Sequence, residues 1–330
     1  MIKTFKIADI TLKNRYVLAP LAGYTDFSQR YLASLYGSSL NYTEMISAEA
    51  LFYNSKATLK DINDTYLDKE FNNDSKLALQ LFGGDEEHIL KAIKICEDNA
   101  SYDFLDFNVG CPVNKVIKQK AGSYWLKRLD ELYPLLKNMV KVSSKPVIVK
   151  IRIGFSEILD IDSLIKNLND TGISAICIHG RTRNEFFSGN VHFDVIKRAK
   201  EVSNIPIICN GSIDANNFLD ILNYTNADAV MIGQNAIGHP DIFKDMIFIE
   251  EGKKIESKNI TNQLDMLIKH VRLMYKYKDS RLATNQLRSI SLKYLKGYPD
   301  ANILKTKLIR CQNENEYLTS INEFKSSLNS

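Results

Sequence analysis

Between Tyr16 and Ile232 the chain alternates between short apolar, β-rich runs and longer helix-like segments, and it does so eight times. The runs are Tyr16 to Ala19, Leu40 to Glu44, Leu77 to Phe82, Phe104 to Phe107, Val147 to Ile151, Ala175 to Ile178, Ile207 to Cys209 and Ala229 to Ile232. Each closes on polar or glycine residues. Between them lie stretches such as DEEHILKAIKICED, where Asp85 is placed to cap a helix and Ile89, Ala92, Ile93 and Cys96 share one face. Runs that are apolar at nearly every position are buried on both faces, so strand and helix in alternation predict a parallel sheet covered by helices. Eight units in roughly 235 residues match an α/β (β/α)8 TIM barrel, whose functional groups sit on the loops after the strand carboxyl ends. A doubly wound open sheet, binding at a topological switch point, is the alternative.

The alternation stops near Glu250. Beyond it the pattern is helical, with QLDMLIKHVRLMYKYK, ATNQLRSISLKYLKG and ANILKTKLIRCQ separated by turn residues. Residues 1–250 are therefore expected to form a barrel domain and 251–330 a helical one, with the boundary near 251 to 259. The Asp-, Asn- and Lys-rich span from Ala57 to Ser75 reads as an excursion after the second strand, either covering the mouth or solvated. From Glu251 onward there are 15 Lys and Arg against 8 Asp and Glu, a net +7, which leaves −3 of the total +4 for the rest. A basic tail on a slightly acidic body suits a polyanionic partner, although charge alone fits a solvated helical face equally.

No apolar segment has the pattern of a signal peptide or the length of a membrane span, so a cytoplasmic protein with no membrane partner is expected. The five cysteines are scattered without CxxC spacing, which predicts neither a disulfide framework nor a bound metal. Nothing in the strand edges or heptad pattern asks for a dimer, and a monomer is expected.

The candidate strand ends read APLAGYTD, TEMISAE, QLFGGD, NVGCP, KIRIG, HGRTR, NGS and GQNAIG. Polar groups converging in a mouth cost desolvation, so Gln80, Asn108, Lys150, Arg152, His179, Arg181 and Asn210 at those ends point to a site rather than to stability. Cys111 follows an apolar run and stands between Gly110, which permits unusual dihedrals, and Pro112; taken alone, it reads more readily as a packed thiol. Lys150 closes an apolar strand, where an ammonium needs an anionic or electron-rich partner. NGSID and GQNAIG are glycine turns running into helices, the frequent phosphate position of barrels. With Gln80 offering an amide, a planar ring carrying a phosphate is the simplest ligand for this set.

In order from Pro20 to about Gly297, APLAGYTD, QLFGGD, DFNVGCPVNKV, VKIRIG, HGRTR, NGSI and the NAIGHP segment resemble the dihydrouridine synthase family, flavoenzymes that reduce specific uridines in transfer RNA. The pairing of GCP and its following lysine with HGRTR is specific; GYTD or NGS alone is weak. The resemblance implies an FMN-binding barrel, a helical domain that grips tRNA, and NADPH as reductant. It would place the cofactor against Pro20, Leu21, Ala22, Gln80, Lys150 and His179, and its phosphate against Asn210, Gly211, Ser212, Gly233 and Gln234. Cys111 would be the catalytic acid and Asn108 a neighbour of the substrate base. Lys115, Arg152, Arg181 and Arg183 would line the mouth for RNA, with Arg288 in the tail.

That role fits a thiol. Hydride from a reduced flavin adds to carbon 6 of uracil, and carbon 5 then needs a proton from the opposite face; a thiol of ordinary pKa is mostly protonated at neutral pH. The base must be drawn from its stack, and phosphate contacts by the tail would supply most of the affinity. Lys269, Arg272, Lys276, Lys278, Arg288, Lys293, Lys296, Lys305, Lys307 and Arg310 offer charge, with Tyr275, Tyr277, Tyr294 and Tyr298 interleaved as stacking or packing surfaces. Departures from the family pattern are Leu21 for methionine, Ser212 for aspartate, Gln234 for arginine, and Ile290 and Lys293 for histidine and tryptophan. Two other readings stand beside the reductase: an RNA-binding barrel without turnover, and a flavin barrel acting on a small pyrimidine or enone.

Overall fold

Apolar runs of this kind are buried on both faces when the sheet closes on itself and helices cover the outside. The computed structural model, which describes residues 2–71, 74–255 and 259–328, shows that arrangement. A hairpin of β1 (Phe5–Ile7) and β2 (Ile10–Leu12) precedes it. The barrel strands are β3 (Tyr16–Leu18), β4 (Leu40–Tyr42) continued by β5 (Ile46–Ser47), β6 (Lys76–Phe82), β7 (Phe104–Val109), β8 (Val147–Arg152), β9 (Ala175–His179), β10 (Ile207–Asn210) and β11 (Ala229–Ile232). Each pairs in parallel with the next, and β11 pairs back onto β3, so all eight units expected from the sequence close into one barrel.

Alternation along the strands separates two cores. Leu105 and Phe107 of β7 join the large layer between sheet and helices, while Phe104 joins the interior with Val17, Leu40, Ala78, Ile148 and Cys177. Phe5, Ile7 and Leu12 of the hairpin pack with that interior cluster and plug the end where the strands begin. The helix Glu86–Asn99 is capped by Asp85 and buries Ile89, Ala92, Ile93 and Cys96, the face read from its periodicity.

The span after the second strand forms two helices, Lys56–Asn63 and Thr65–Phe71. The second packs on the flank: Asp68 accepts from buried Arg30, and Phe71 meets Phe27 and Tyr277. Asn72 and Asn73 lie outside the described residues.

The carboxyl-terminal region consists of helices Ile260–Tyr277, Ser280–Tyr294, Asn302–Leu308 and Glu314–Ser327 around a core of their own that includes Leu264, Leu267, Leu287, Tyr294 and Tyr317. Glu256, Ser257 and Lys258, within the expected boundary, lie outside the described residues. The last helix continues the helical pattern past the three segments picked out in the sequence. This region docks on the barrel through several distinct contacts. Lys278 Nζ pairs with Asp26 at 2.6 Å, Tyr24 Oη meets Ser289 Oγ at 3.0 Å, and Gln263 Nε2 meets His239 Nδ1 at 3.2 Å. Asp26 caps the helix Phe27–Leu35, directly after the first barrel strand, so the carboxyl end of Ile260–Tyr277 stands beside the barrel mouth. At Gly238, with φ +78°, a Cβ would stand 2.4 Å from Lys293 C and 2.5 Å from Tyr294 N; only glycine admits this approach. Among the described residues, no helix is long and apolar enough to cross a membrane, and no group of His, Cys, Asp or Glu could hold a metal ion.

Candidate active site

The turn after β7 carries Cys111, and its conformation is set by hydrogen bonds to its own strand. Asn108 Oδ1 accepts from Gly110 N at 3.1 Å and from Cys111 N at 2.9 Å. Ser123 returns to the turn, donating from its N and Oγ to the Cys111 carbonyl at 3.1 and 2.9 Å. Gly110 does not adopt the left-handed dihedrals its type permits; a Cβ there would lie 3.4 Å from Ile151 C and Lys150 O, so it serves close packing against β8. The glycines of QLFGGD also serve approach: at Gly84 a Cβ would meet the Gln119 carbonyl oxygen at 2.0 Å, and Trp125 Nε1 donates to Gly83 O at 2.8 Å. The segment beyond Cys111 is thereby seated on the end of β6.

The Cys111 thiol is 9% exposed and packs with Val116 and Ala121, close to Met45 and Phe82. Burial pushes its pKa up, against the opposing pull of the Val113 N–H and the Arg152 and Lys150 cations. It is therefore a protonated thiol at neutral pH, suited to giving a proton rather than to attacking.

Behind it runs a chain of amides. Asn108 Nδ2 donates to Gln80 Oε1 at 2.8 Å, and Gln80 Nε2 donates to Asp106 Oδ2 at 2.6 Å. Asp106 is wholly buried and its carboxyl is pushed well up by burial, against the Gln80 bond and the Lys150 charge. Strand-end position does not single this residue out; its signal in the sequence is a carboxyl inside an apolar strand, two residues from Asn108 and hence on the same face.

On the neighbouring strand β8, Lys150 Nζ reaches past β9 to donate to Asn210 Oδ1 at 3.1 Å, and Asn210 Nδ2 donates to Met231 O at 2.9 Å. Burial lowers the Lys150 pKa. His179 Nδ1 is buried without a hydrogen-bond partner, and the ring's pKa is pushed down to about 2 by burial and then by the Lys150, Arg152 and Arg181 cations, so it is neutral. Arg152 is 2% exposed, and its guanidinium binds backbone: Nε to Gly110 O at 2.9 Å, Nη1 to Thr182 O at 2.7 Å and Phe186 O at 2.8 Å. It links two mouth loops instead of standing free at the rim.

Pro20, Leu21 and Ala22 form an open edge after β3, with Leu21 packed against the barrel interior. Gly211, Ser212, Gly233 and Gln234 follow β10 and β11; Ser212 and Gln234 are exposed, and a Cβ at Gly233 would meet only Ala19 Cβ, at 3.8 Å. Arg181 Nη2 donates to Ser212 Oγ at 2.9 Å. Lys115 is exposed, and Arg183, half-buried, donates to Asn114 Oδ1 at 2.5 Å. Arg288 lies in the tail, half-buried, donating to Gln312 Oε1 at 3.1 Å. The unpartnered His179 nitrogen, a desolvated ammonium bonded to one amide oxygen, and the open turn at Gly233 fit a planar ring with an anionic tail.

Fold and mouth together define an enzyme of the (β/α)8-barrel class. Solved structures with this barrel include morphinone reductase in complex with tetrahydroNAD, with a TM-score of 0.54 at 13% identity over 79% of this chain and 93% of that one. The old yellow enzyme from Trypanosoma cruzi is similar, with a TM-score of 0.55 at 12% identity over 79% and 94%. In sequence, residues 17–329 match the family described as dihydrouridine synthase. A probable tRNA-dihydrouridine synthase of Aquifex aeolicus is 32% identical over 95% of this chain and 96% of its own length. A tRNA-dihydrouridine synthase B of Pasteurella multocida is 31% identical over 97% and 95%. The chain belongs to the dihydrouridine synthase family, which is a family of oxidoreductases.

Proposed function

We propose that the protein reduces the C5–C6 double bond of specific uridines in tRNA to 5,6-dihydrouridine, with FMN as the cofactor and NADPH as its reductant. The observation that carries this reading is the meeting of three groups in one mouth. A buried, protonated thiol on the β7 turn lies within electrostatic reach of a desolvated lysine on the neighbouring strand β8, with a neutral histidine on the next strand, β9.

Pro20, Leu21, Ala22, Gln80, Lys150 and His179 would hold the ring, and Asn210, Gly211, Ser212, Gly233 and Gln234 its phosphate. A reduced flavin bound there would supply a hydride to carbon 6. The protein's own part is the proton: Cys111 Sγ–H gives it to carbon 5 as the uracil enolate collapses, and the thiolate left behind is reprotonated from solvent. The Lys150 and Arg152 charges oppose the burial penalty on that thiolate and so lower the cost of the transfer. Asn108, fixed by the turn, stands beside the base.

For the RNA, Lys115, Arg183 and Arg288 supply charge near the mouth and tail. Lys269, Arg272 and Lys276, exposed on successive turns of Ile260–Tyr277, form a basic ridge that rises toward the mouth end of that helix. Tyr294 is wholly buried against His270 and Tyr275 Oη bonds Thr284, so those aromatics serve packing. The barrel and the helical region, residues 1–250 and 251–330 in this reading, would divide chemistry and RNA grip between them.

The reading is tested with purified protein, NADPH and an unmodified tRNA transcript. A yellow preparation whose flavin absorbance NADPH bleaches, and whose colour tRNA restores with formation of dihydrouridine, supports it. A protein that binds no flavin refutes it. A protein that bleaches with NADPH but reduces only small enones or free pyrimidines moves it to a small-molecule reductase.

A further inference from the structure

The two turns assigned to the cofactor phosphate bring no cation of their own: they consist of Asn210, Gly211 and Ser212, and of Gly233 and Gln234. A phosphate monoester carries close to two negative charges at neutral pH, and backbone N–H groups alone leave most of that charge unanswered in a partly buried site. Lys150 is the nearer cation to the ring side, donating to the Asn210 side chain from inside the barrel.

The other cation is Arg181, on the loop after β9. Its Nη2 donates to Ser212 Oγ at 2.9 Å and its Nε to Gly189 O at 2.5 Å, so the guanidinium is held between its own loop and the Ser212 turn. Among the described residues, its hydrogen bonds use two of the five donors, and the residue is 6% exposed. Among the described residues no carboxylate lies in ion-pair contact with it. The acid in its vicinity, Glu185, accepts from Thr182 N, Thr182 Oγ1 and His192. Arg181 is thus a fixed positive charge on the Ser212 turn with donors to spare; the charge of Glu185 favours its cation, but the carboxylate spends its hydrogen bonds on Thr182 and His192.

We infer that Arg181 supplies the positive charge that neutralises the cofactor's phosphate, through its hydrogen bond to Ser212, and is a cofactor-binding residue rather than an RNA contact. This rests on the flavin reading above. A guanidinium in that position selects a phosphorylated flavin over riboflavin, which has the same ring and no phosphate.

The test compares FMN and riboflavin on the full-length apoprotein by quenching of flavin fluorescence. Arg181→Gln should weaken FMN binding about 10- to 100-fold, the worth of a charge-assisted hydrogen bond, and leave riboflavin binding unchanged. Adding Gln234→Arg to that variant should restore FMN affinity by returning a cation to the neighbouring turn. Should Arg181→Gln fail to fold, Ser212→Asp asks the same question without removing the arginine: an aspartate there pairs with Arg181 and should lower affinity for FMN alone. Equal losses for both flavins, or no loss for either, would overturn the assignment of Arg181. A wild-type protein that binds neither flavin would overturn the flavin reading itself.

Discussion

Arg152 Nε donates to the carbonyl oxygen of Gly110 at 2.9 Å, which ties the end of β8 to the turn that aims Cys111. The same guanidinium holds Thr182 O and Phe186 O, so three carbonyls of two loops depend on one buried fork. Arg152→Met should lower unfolding free energy by about 3 kcal/mol, since each charged hydrogen bond lost leaves a carbonyl to be resolvated. Arg152→Lys should recover little of it, because an ammonium cannot span the fork. Urea unfolding of the three proteins gives the ordering; equal midpoints would show that the link carries no stability.

Gly238 is where barrel and helical region touch backbone to backbone. Gly238→Ala puts a methyl 2.4 Å from Lys293 C at a φ of +78°, and neither main chain can yield cheaply. The variant should keep flavin binding, lose tRNA affinity, and become cleavable by protease between the two parts. A variant with wild-type tRNA affinity would mean that the joint does not set the RNA grip.

His270 gives a pH dependence whose sign is fixed by its burial. The ring is wholly buried, bonded through Nδ1 to Tyr294 Oη at 2.9 Å, and its pKa is pushed down to about 4 by burial, with Asp26 pulling the other way. Between about pH 6.5 and 4 the unfolded chain takes up a proton there that the folded chain refuses, so this group's contribution to stability falls as pH falls through that window. The loss at full extent is on the order of 3 kcal/mol. His270→Gln should be less stable than the wild type at pH 7.5 and draw level with it toward pH 4.5. A stability gap independent of pH would place the titration elsewhere.

The barrel was legible because apolar runs repeat eight times with helical spacing between them, a pattern no single substitution obscures. The β1–β2 hairpin was not, since two three-residue strands carry almost no periodicity and are fixed by the barrel end they plug. Strand-end position correctly brought Gln80, Asn108, Cys111, Lys150, His179 and Asn210 to one mouth. It could not tell that Arg152 turns inward to bind carbonyls, because that depends on where the Phe186 loop folds back. Asp106 was hidden for the opposite reason: its role lies in what Gln80 offers it, a contact between β6 and β7 that only their register creates.

The most direct test of the account follows the two half-reactions in Cys111→Ala. The thiol touches none of the groups assigned to the ring in the hydrogen bonds of the site, so the variant should bind FMN and be bleached by NADPH at the wild-type rate. Mixed with unmodified tRNA under anaerobic conditions, its reduced flavin should reoxidise at least about a hundredfold more slowly than in the wild type, the usual worth of a positioned general acid. Reoxidation at the wild-type rate, with dihydrouridine formed in the tRNA, would contradict the assignment of Cys111 as the proton donor.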